Sequence, residues 1–321
     1  MSATQTNNGK AFEYACILSL YTELSASQDV SIIKTQQLQT ALNFFKVSSI
    51  QLQSKLIRAA DAATRVIVRL EPQLQHPNKN IPLYLSLQTD AKGESGDVRD
   101  VLCIRKQNEW EIGLSCKHNH HAVKHSRLSS TIDFGKEWFD IPCSNGYFNE
   151  IKPLFDELRD LRANSRGTAL WSDVNQKNEL YYIPILQAFM TELQRLDQSN
   201  PKIIPERLIR YLIGKNDFYK VISNDVQATT RVEAINISGT LNRPSAGVHS
   251  IVNVPRLKLP TRFYSVDFKE GSETTIQIVF DEGWAVSMRI HNASSRVEPS
   301  LKFDVNLISL PNSIHAQVEP W

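Results

Sequence analysis

Residues 95–129 read SGDVRDVLCIRKQNEWEIGLSCKHNHHAVKHSRLS, and the pairing they dictate decides the fold. Val101-Leu102-Cys103-Ile104 and Trp110-Glu111-Ile112-Gly113-Leu114-Ser115 are β-prone runs, and the polar Lys106-Gln107-Asn108-Glu109 between them is turn-like. If Arg105 pairs with Trp110, antiparallel register sets Asp100 opposite Ser115 and Val98 opposite Lys117. Side chains alternate with a period of two and opposed residues share a face, so Asp100, Ser115 and Lys117 are expected to project together. From Ile112 to Ile132 there is no acidic residue, while Lys117, Lys124, Arg127 and four of the eight histidines fall in that interval. A basic segment beside a carboxylate–lysine pair suits a polyanionic substrate.

A carboxylate and a lysine on one face point to metal-assisted hydrolysis of a phosphodiester. That chemistry needs charge on the phosphate neutralised, a hydroxide-like nucleophile near neutral pH and a stabilised leaving alkoxide, most of which Mg²⁺ supplies. Mg²⁺ takes hard oxygen ligands, usually one or two carboxylates with water and phosphate oxygens. Asp100 is the expected central ligand, and the backbone carbonyl of Cys116 is placed to add to the shell. Lys117 is suited to orient or deprotonate the attacking water, or to contact the phosphate, and the residues alone do not separate these roles. Two competing chemistries are weaker. His121 and His125 have an i, i+4 spacing that suits zinc, but no Cys pair or acid accompanies them. Cys116 beside His118 resembles a thiol nucleophile, yet a strand cysteine more often points into a core.

The pattern resembles the PD-(D/E)XK nuclease signature, in which an acid at the start of one strand is followed, one hairpin later, by acid-x-Lys. Here Ser115-Cys116-Lys117 stands in that place, so a further acid must come from elsewhere. Three substitutes are visible, in the order Glu13, Asp97 and Glu111. Glu13 opens an amphipathic first helix, where nucleases of this class often carry a glutamate. Asp97 precedes the strand by three residues, and Glu111 shares the face of Ser115 but lies about 13 Å along it. The longer phrases GDVRDVLCIR, EIGLSCKHNHHAVKHSRLS, TIDFGKEWFDIPCS and RIHNASSRVEPSLKFDVNLISLP are similar to the HaeIII-type family of type II restriction endonucleases, whose namesake cuts at GGCC. The resemblance implies Mg²⁺-dependent cleavage of double-stranded DNA, restriction of foreign DNA and a functional pairing with a DNA methyltransferase that protects the host's own sites. Cutting both strands of a palindrome is most simply done by a homodimer. The rivals are a non-cleaving DNA-binding protein with a degenerate nuclease core and, further off, a structure-directed repair nuclease.

The chain has 321 residues, 41% of them hydrophobic, enough for one large or two modest domains. A formal charge of +2 leaves any DNA affinity to local charge. Four separated cysteines suggest reduced thiols in a cytoplasmic setting, and neither a signal-peptide core nor a transmembrane run is visible. Helices are expected over Phe12–Leu24, Ile32–Phe45 and Ile50–Leu70, then a strand over Ile81–Leu87 and the hairpin. A second helical block covers Phe148–Asn164, Glu179–Asp197 and Pro205–Lys215. After about Ala228 the chain turns β-rich, with a hairpin over Thr274–Phe280 and Trp284–His291 that delivers Arg289, His291 and Asn292 to one end. Arg pairs bidentately with guanine and Asn with adenine in a major groove. The candidate DNA contacts are therefore His118, Asn119, His120, Lys124, His125 and Arg127 with Arg289, His291 and Asn292. The expected fold is α/β: a PD-(D/E)XK nuclease-like core, a mixed sheet flanked by helices, with a helical insertion and a β-rich C-terminal part. Its divisions fall at 1–147 for the core, 148–227 for the helical region and 228–321 for the β-rich region, a candidate for DNA recognition.

Overall fold

Arg105 pairs with Trp110, Cys103 with Ile112 and Val101 with Leu114, so the hairpin forms in the expected register. The computed structural model describes residues 3–75, 81–89, 97–119, 124–245 and 247–321. Its residues fall into two units, Met1–His121 with Gly214–Leu257 and Ser313–Trp321, and Ala122–Ile213 with Lys258–Asn312.

The first unit is a seven-stranded mixed sheet. Its strands are β1 (Val30–Ile32), β2 (Leu83–Leu87), β3 (Val101–Arg105), β4 (Trp110–His118), β6 (Phe218–Asn224), β7 (Thr229–Ile235) and β12 (Ala316–Pro320), side by side in that order. β1–β2 and β4–β6 are parallel and the other neighbours antiparallel. The helices are α1 (Ala3–Ser25), α2 (Gln36–Val47) and α3 (Ile50–Leu70). Phe12, Cys16, Leu20 and Leu24 recur every four residues along α1, and Leu56, Ala59, Ala60, Ala63, Val66, Ile67 and Leu70 make a similar stripe on α3. Both stripes join one core with Val101, Cys103, Ile112, Leu114, Cys116, Tyr219, Val221 and Val232, the alternate residues of the central strands. Each of the larger aliphatic and phenylalanine side chains contributes about 1.5–3 kcal/mol when fully buried, and each alanine methyl less. Caps fix where the helices begin: the Thr35 hydroxyl accepts from Leu38 N at 3.1 Å and the Ser49 hydroxyl from Leu52 N at 3.2 Å.

Several expected elements are corrected. The second helix does not start at Ile32. Val30 and Ile32 are β-branched and pair with Leu83 and Leu85, and the Thr35 cap starts the helix after them. The first helix begins nine residues before Phe12, at Ala3. Strand β6 and the short helix α4 (Phe134–Phe139) are additional to the elements read from the sequence, and the basic segment continues into β5 (Lys124–Leu128).

In the second unit β5, β11 (Leu301–Ser309), β10 (Ala285–Asn292), β9 (Thr275–Phe280) and β8 (Phe263–Phe268) form an antiparallel sheet in that order. It is amphipathic. Leu301, Phe303, Val305, Met288, Ile290, Ile276 and Ile278 are buried, and the intervening residues carry the polar side chains. The Phe134 ring packs on Tyr147 of α5 (Asn145–Asn164) and on Phe189 of α6 (Ile183–Ser199), which meets Phe303 at 5.2 Å. Trp138 stacks at 4.8 Å on Tyr211 of α7 (Ile203–Ile213). Buried Glu192 accepts from the Ser144 N–H and hydroxyl and from Arg195, tying α5 to α6.

Two buried polar residues set loops of the first unit. Arg105 donates to the carbonyls of Gln73, Leu74 and Ile81. Glu71, at the end of α3, accepts at Oε1 from the Tyr219 hydroxyl and the Asn242 N–H, both at 2.7 Å, while its Oε2 is buried without a partner among the described residues. Burial pushes the Glu71 carboxyl up to about 7, against the opposing bonds from Asn242 and Tyr219. A carboxyl raised in the folded state contributes stability that is complete below its ordinary value and is lost as pH rises through the folded value. The wild-type thermal midpoint should therefore fall, relative to that of Glu71→Gln, between about pH 4.5 and pH 7. Parallel pH profiles of the two proteins would show that Glu71 is not the titrating group.

Candidate active site

Strands β3 and β4 meet at Asp100, and its backbone and side chain hold them differently. The Asp100 N–H donates to the Leu114 carbonyl at 2.7 Å, and its own carbonyl accepts from Gln88 N at 2.9 Å. Oδ2 of its carboxylate accepts the Cys116 N–H at 2.7 Å and lies 3.5 Å from the Lys117 ammonium. Neither contact uses Oδ1. Ser115, in the position expected to oppose Asp100, is buried.

Glu13 of α1 joins this pair. Burial first, and then the charge of Asp100, push its carboxyl up to about 8, against the opposing charges of Lys10 and Lys117. Lys10 stands 3.2 Å from Glu13 Oε2. Burial acts to lower the Lys117 pKa, but the Asp100 charge, with smaller contributions from Cys116 and Glu13, leaves it above the ordinary lysine value. The Cys116 thiol faces the core, where a bond with Cys16 and then burial raise it well above an ordinary thiol. A thiol held protonated is a poor nucleophile.

Asp97 and Glu111 are engaged elsewhere. Arg99 forks onto Asp97, Nε to Oδ1 at 2.8 Å and Nη2 to Oδ2 at 2.7 Å, and the same Nη2 is 2.8 Å from Glu111. Asn216 also donates to Asp97 Oδ2, at 3.1 Å. Burial opposes ionisation of Asp97, but the Arg99 bonds and the Gln88 bond hold its carboxyl below the usual range. The stem of Arg99 crosses β4 at Gly113, where a Cβ would come within 2.3 Å of Arg99 Cδ and 2.7 Å of its Cβ. The glycine is required by that close approach.

A two-carboxylate, one-lysine cluster at the mouth of a β-hairpin is common to many hydrolases, and relatives narrow it. The model of the HaeIII restriction endonuclease family matches residues 9–311. The chain is also 39% identical, over all 321 residues and 99% of the relative's length, to the type II restriction enzyme HaeIII of Haemophilus aegyptius. This chain belongs to the HaeIII restriction endonuclease family. No solved structure matches it.

In this family member the expected DNA contacts divide by position. His118 is buried, with Nδ1 at 3.0 Å from the Ser223 hydroxyl and 3.8 Å from Asp225, and Nε2 at 3.2 Å from Asn119. Burial holds the His118 pKa low, opposed by Asp225. Asn119 accepts from Asp225 N at 3.0 Å. His120 and His121 lie outside the described residues, as do the side chains of Lys124 and His125. Arg127 is exposed, near Ser300 at 3.0 Å and Glu298 at 3.5 Å. Arg289 is also exposed and meets Asp304 at 2.8 Å, with His291 Nε2 3.3 Å from the same carboxylate. Asn292 accepts from the Tyr182 hydroxyl at 3.3 Å. Register puts Arg127, Lys302 and His291 in one cross-strand row and His125, Asp304 and Arg289 in the neighbouring row on the same face. The sequence reading did not single out Lys302, although its i, i+2 spacing from Asp304 is the available signal.

The Gly113 contact generates a direct test. Gly113→Ala must displace the Arg99 stem, and overpacking of this kind costs about 1–3 kcal/mol. A denaturant midpoint unchanged from wild type would mean that Arg99 does not lie across β4 in solution.

Proposed function

We propose that this chain is a Mg²⁺-dependent endonuclease that cleaves both strands of double-stranded DNA at GGCC, using a core of the PD-(D/E)XK kind. Membership of the HaeIII family makes it a type II restriction endonuclease, a nuclease and hydrolase that acts on DNA. One observation carries the chemistry: Asp100 and Lys117 meet where β3 and β4 part, with the buried carboxyl of Glu13 close enough to feel the Asp100 charge.

That donor set fits a hard divalent cation. Two carboxyl groups that repel each other in a poorly solvated place are what such an ion would relieve, Glu13 holding it as the carboxylate. Asp100, Glu13 and the Cys116 carbonyl are the proposed ligands. Asp97, with its oxygens taken by Arg99 and Asn216, is left with a structural part. When bound, the ion supplies neutralisation of phosphate charge and a lowered pKa for an attacking water. Lys117, kept charged by Asp100, acts as a cation that orients the nucleophile and offsets charge developing on the phosphate. Ser115 contributes a hydroxyl in place of the missing acid.

Recognition is assigned to the polar face of the β5–β11–β10 sheet. Arg289 and His291 are its base-reading candidates, and Arg127 and His125 its phosphate contacts, whereas Asn292 and Lys124 pair with the buried Leu301 and Val305 and so fall at the alternate register positions. His118 and Asn119, engaged with Ser223 and Asp225, hold the end of β4. A palindromic site favours a homodimer, and the host's own sites call for a partner methyltransferase. Among the described residues no helix is long and apolar enough to cross a membrane, in keeping with a cytoplasmic enzyme.

Plasmid cleavage with Mg²⁺, followed by mapping of the ends, tests the proposal. Asp100→Asn should bind DNA in Ca²⁺ near normally yet cleave at least about a hundredfold more slowly. Wild-type protein that binds but never cuts would favour the non-cleaving alternative. For recognition, Arg289→Ala should lose about 1–3 kcal/mol on the cognate duplex and little on a one-mismatch duplex. Equal losses on both would remove Arg289 from base reading.

A further inference from the structure

Leu87 of β2 pairs with Val101 of β3, and one step further Gln88 stands opposite Asp100, its N–H donating to the Asp100 carbonyl at 2.9 Å. Opposed residues share a face of the sheet, so the side chain of Gln88 belongs with that of Asp100. Gln88 is only 8% exposed.

The amide of Gln88 is oriented by its nitrogen. Nε2 donates to the Arg99 carbonyl at 3.1 Å, and the side chain also bonds Asp97. Asp97, held ionised by its bonds with Arg99, can only accept. Turning the amide over would set its oxygen against a carbonyl and a carboxylate, two acceptors, so the orientation is settled by its partners. The oxygen is what remains. Oε1 is buried and has no partner among the described residues. An acceptor left in that condition costs about 1–3 kcal/mol.

The surroundings of Oε1 select what can complete it. The atom is closed to water, which stands about 2.8 Å from an oxygen that it bonds. Mg²⁺ approaches an oxygen ligand more closely, to about 2.0–2.1 Å. An amide oxygen is also a hard donor that brings no charge, where Glu13 and Asp100 already oppose each other's ionisation. Beside it, Asp100 keeps Oδ1 out of its contacts with Cys116 and Lys117.

We propose that Gln88 is a further ligand of the active-site divalent cation, through Oε1, on the β2 side of Asp100. This rests on the metal-dependent reading of the same site. Gln88 thereby joins two clusters: its nitrogen is held by the Arg99 carbonyl and Asp97, and its oxygen serves the ion. Arg99 and Asp97 act on the reaction only by orienting that ligand.

The experiment titrates Mn²⁺ into wild type, Gln88→Met, Gln88→Glu and Asp100→Asn, reading the unbound ion from its electron paramagnetic resonance signal. Gln88→Met, similar in length but without the amide, should bind at least about tenfold more weakly, since even outer partners of metal ligands are worth that much. Gln88→Glu should bind at least as tightly as wild type, because it keeps an oxygen and adds charge. A residue that merely braces Arg99 and Asp97 would give the opposite order, a carboxylate being a worse substitute than methionine against two acceptors. Wild-type affinity in Gln88→Met, or weaker binding by Gln88→Glu than by Gln88→Met, overturns the proposal. Should Gln88→Glu not fold, the rise in thermal midpoint that Mn²⁺ gives is compared in wild type, Gln88→Met and Gln88→Leu. Loss of a ligand shrinks that rise, whereas loss of a structural bond lowers the midpoint equally with and without the ion, and the second result also overturns the proposal. Wild type that takes up no more Mn²⁺ than Asp100→Asn would instead defeat the metal assignment of the whole site.

Discussion

The first unit depends on how the chain is held at Asp100. Its main-chain N–H and carbonyl are both used, toward β4 and toward Gln88 after β2, so this residue cannot shift along either neighbour without breaking a short bond. Its carboxylate then accepts the Cys116 N–H, so side chain and backbone of one residue both grip β4. A carboxylate offers about four lone-pair positions, and the contacts with Cys116 and Lys117 converge on one oxygen. The same geometry that locks the register thus presents the second oxygen to whatever occupies the site. Register and chemistry are here one constraint.

Around that point the protein tolerates charge where burial disfavours it. Glu13 is held with its ionisation suppressed beside Asp100, and Lys117 keeps its proton despite burial. Arrangements of this kind weaken a fold and are retained where a ligand completes them. Arg99 is the contrast. It is also buried, but it is fully matched by Asp97 and Glu111, and it occupies a channel that Gly113 opens for it. One cluster is saturated and serves the structure; the other is the proposed reaction site.

The second unit follows a different logic. Its sheet buries an aromatic and aliphatic face on which Phe303 meets Phe189 of α6, leaving a polar face that carries Arg127, Lys302 and His291 in one row and Asp304 and Arg289 in the next. Side chains on a β-surface are held at regular spacing by strands whose other face is anchored in a core, so they are positioned more firmly than side chains on a loop. Ion pairs of Arg289 with Asp304 and of Arg127 with Glu298 hold these two guanidinium groups in place.

Legibility followed the range of the interactions. The Asp100–Lys117 hairpin, the later hairpin through Trp284 and most of the helices could be read from local alternation, apolar spacing and turn residues, because those signals are written within a dozen positions of one another. The helical glutamate came by another route: Glu13 was singled out from the resemblance to nucleases that often carry a glutamate on the first helix, and no local signal marked it. Strand β6 was not legible. Phe218–Asn224 is buried almost throughout and lacks the alternation of a half-exposed strand, and its pairing with β4 crosses about a hundred residues of chain. With β6 came Lys220, which pairs with Ser115, and with the pairing of β5 to β11 came the row that joins Arg127, Lys302 and His291. The sequence by itself determined the hairpin, its register and the residue types at its mouth. Tertiary structure alone decided which acids stood with Asp100 and which were taken by Arg99, and which distant strand stood next to Ser115, because parallel pairing and burial are settled by the closure of the whole sheet rather than by any local run of residues.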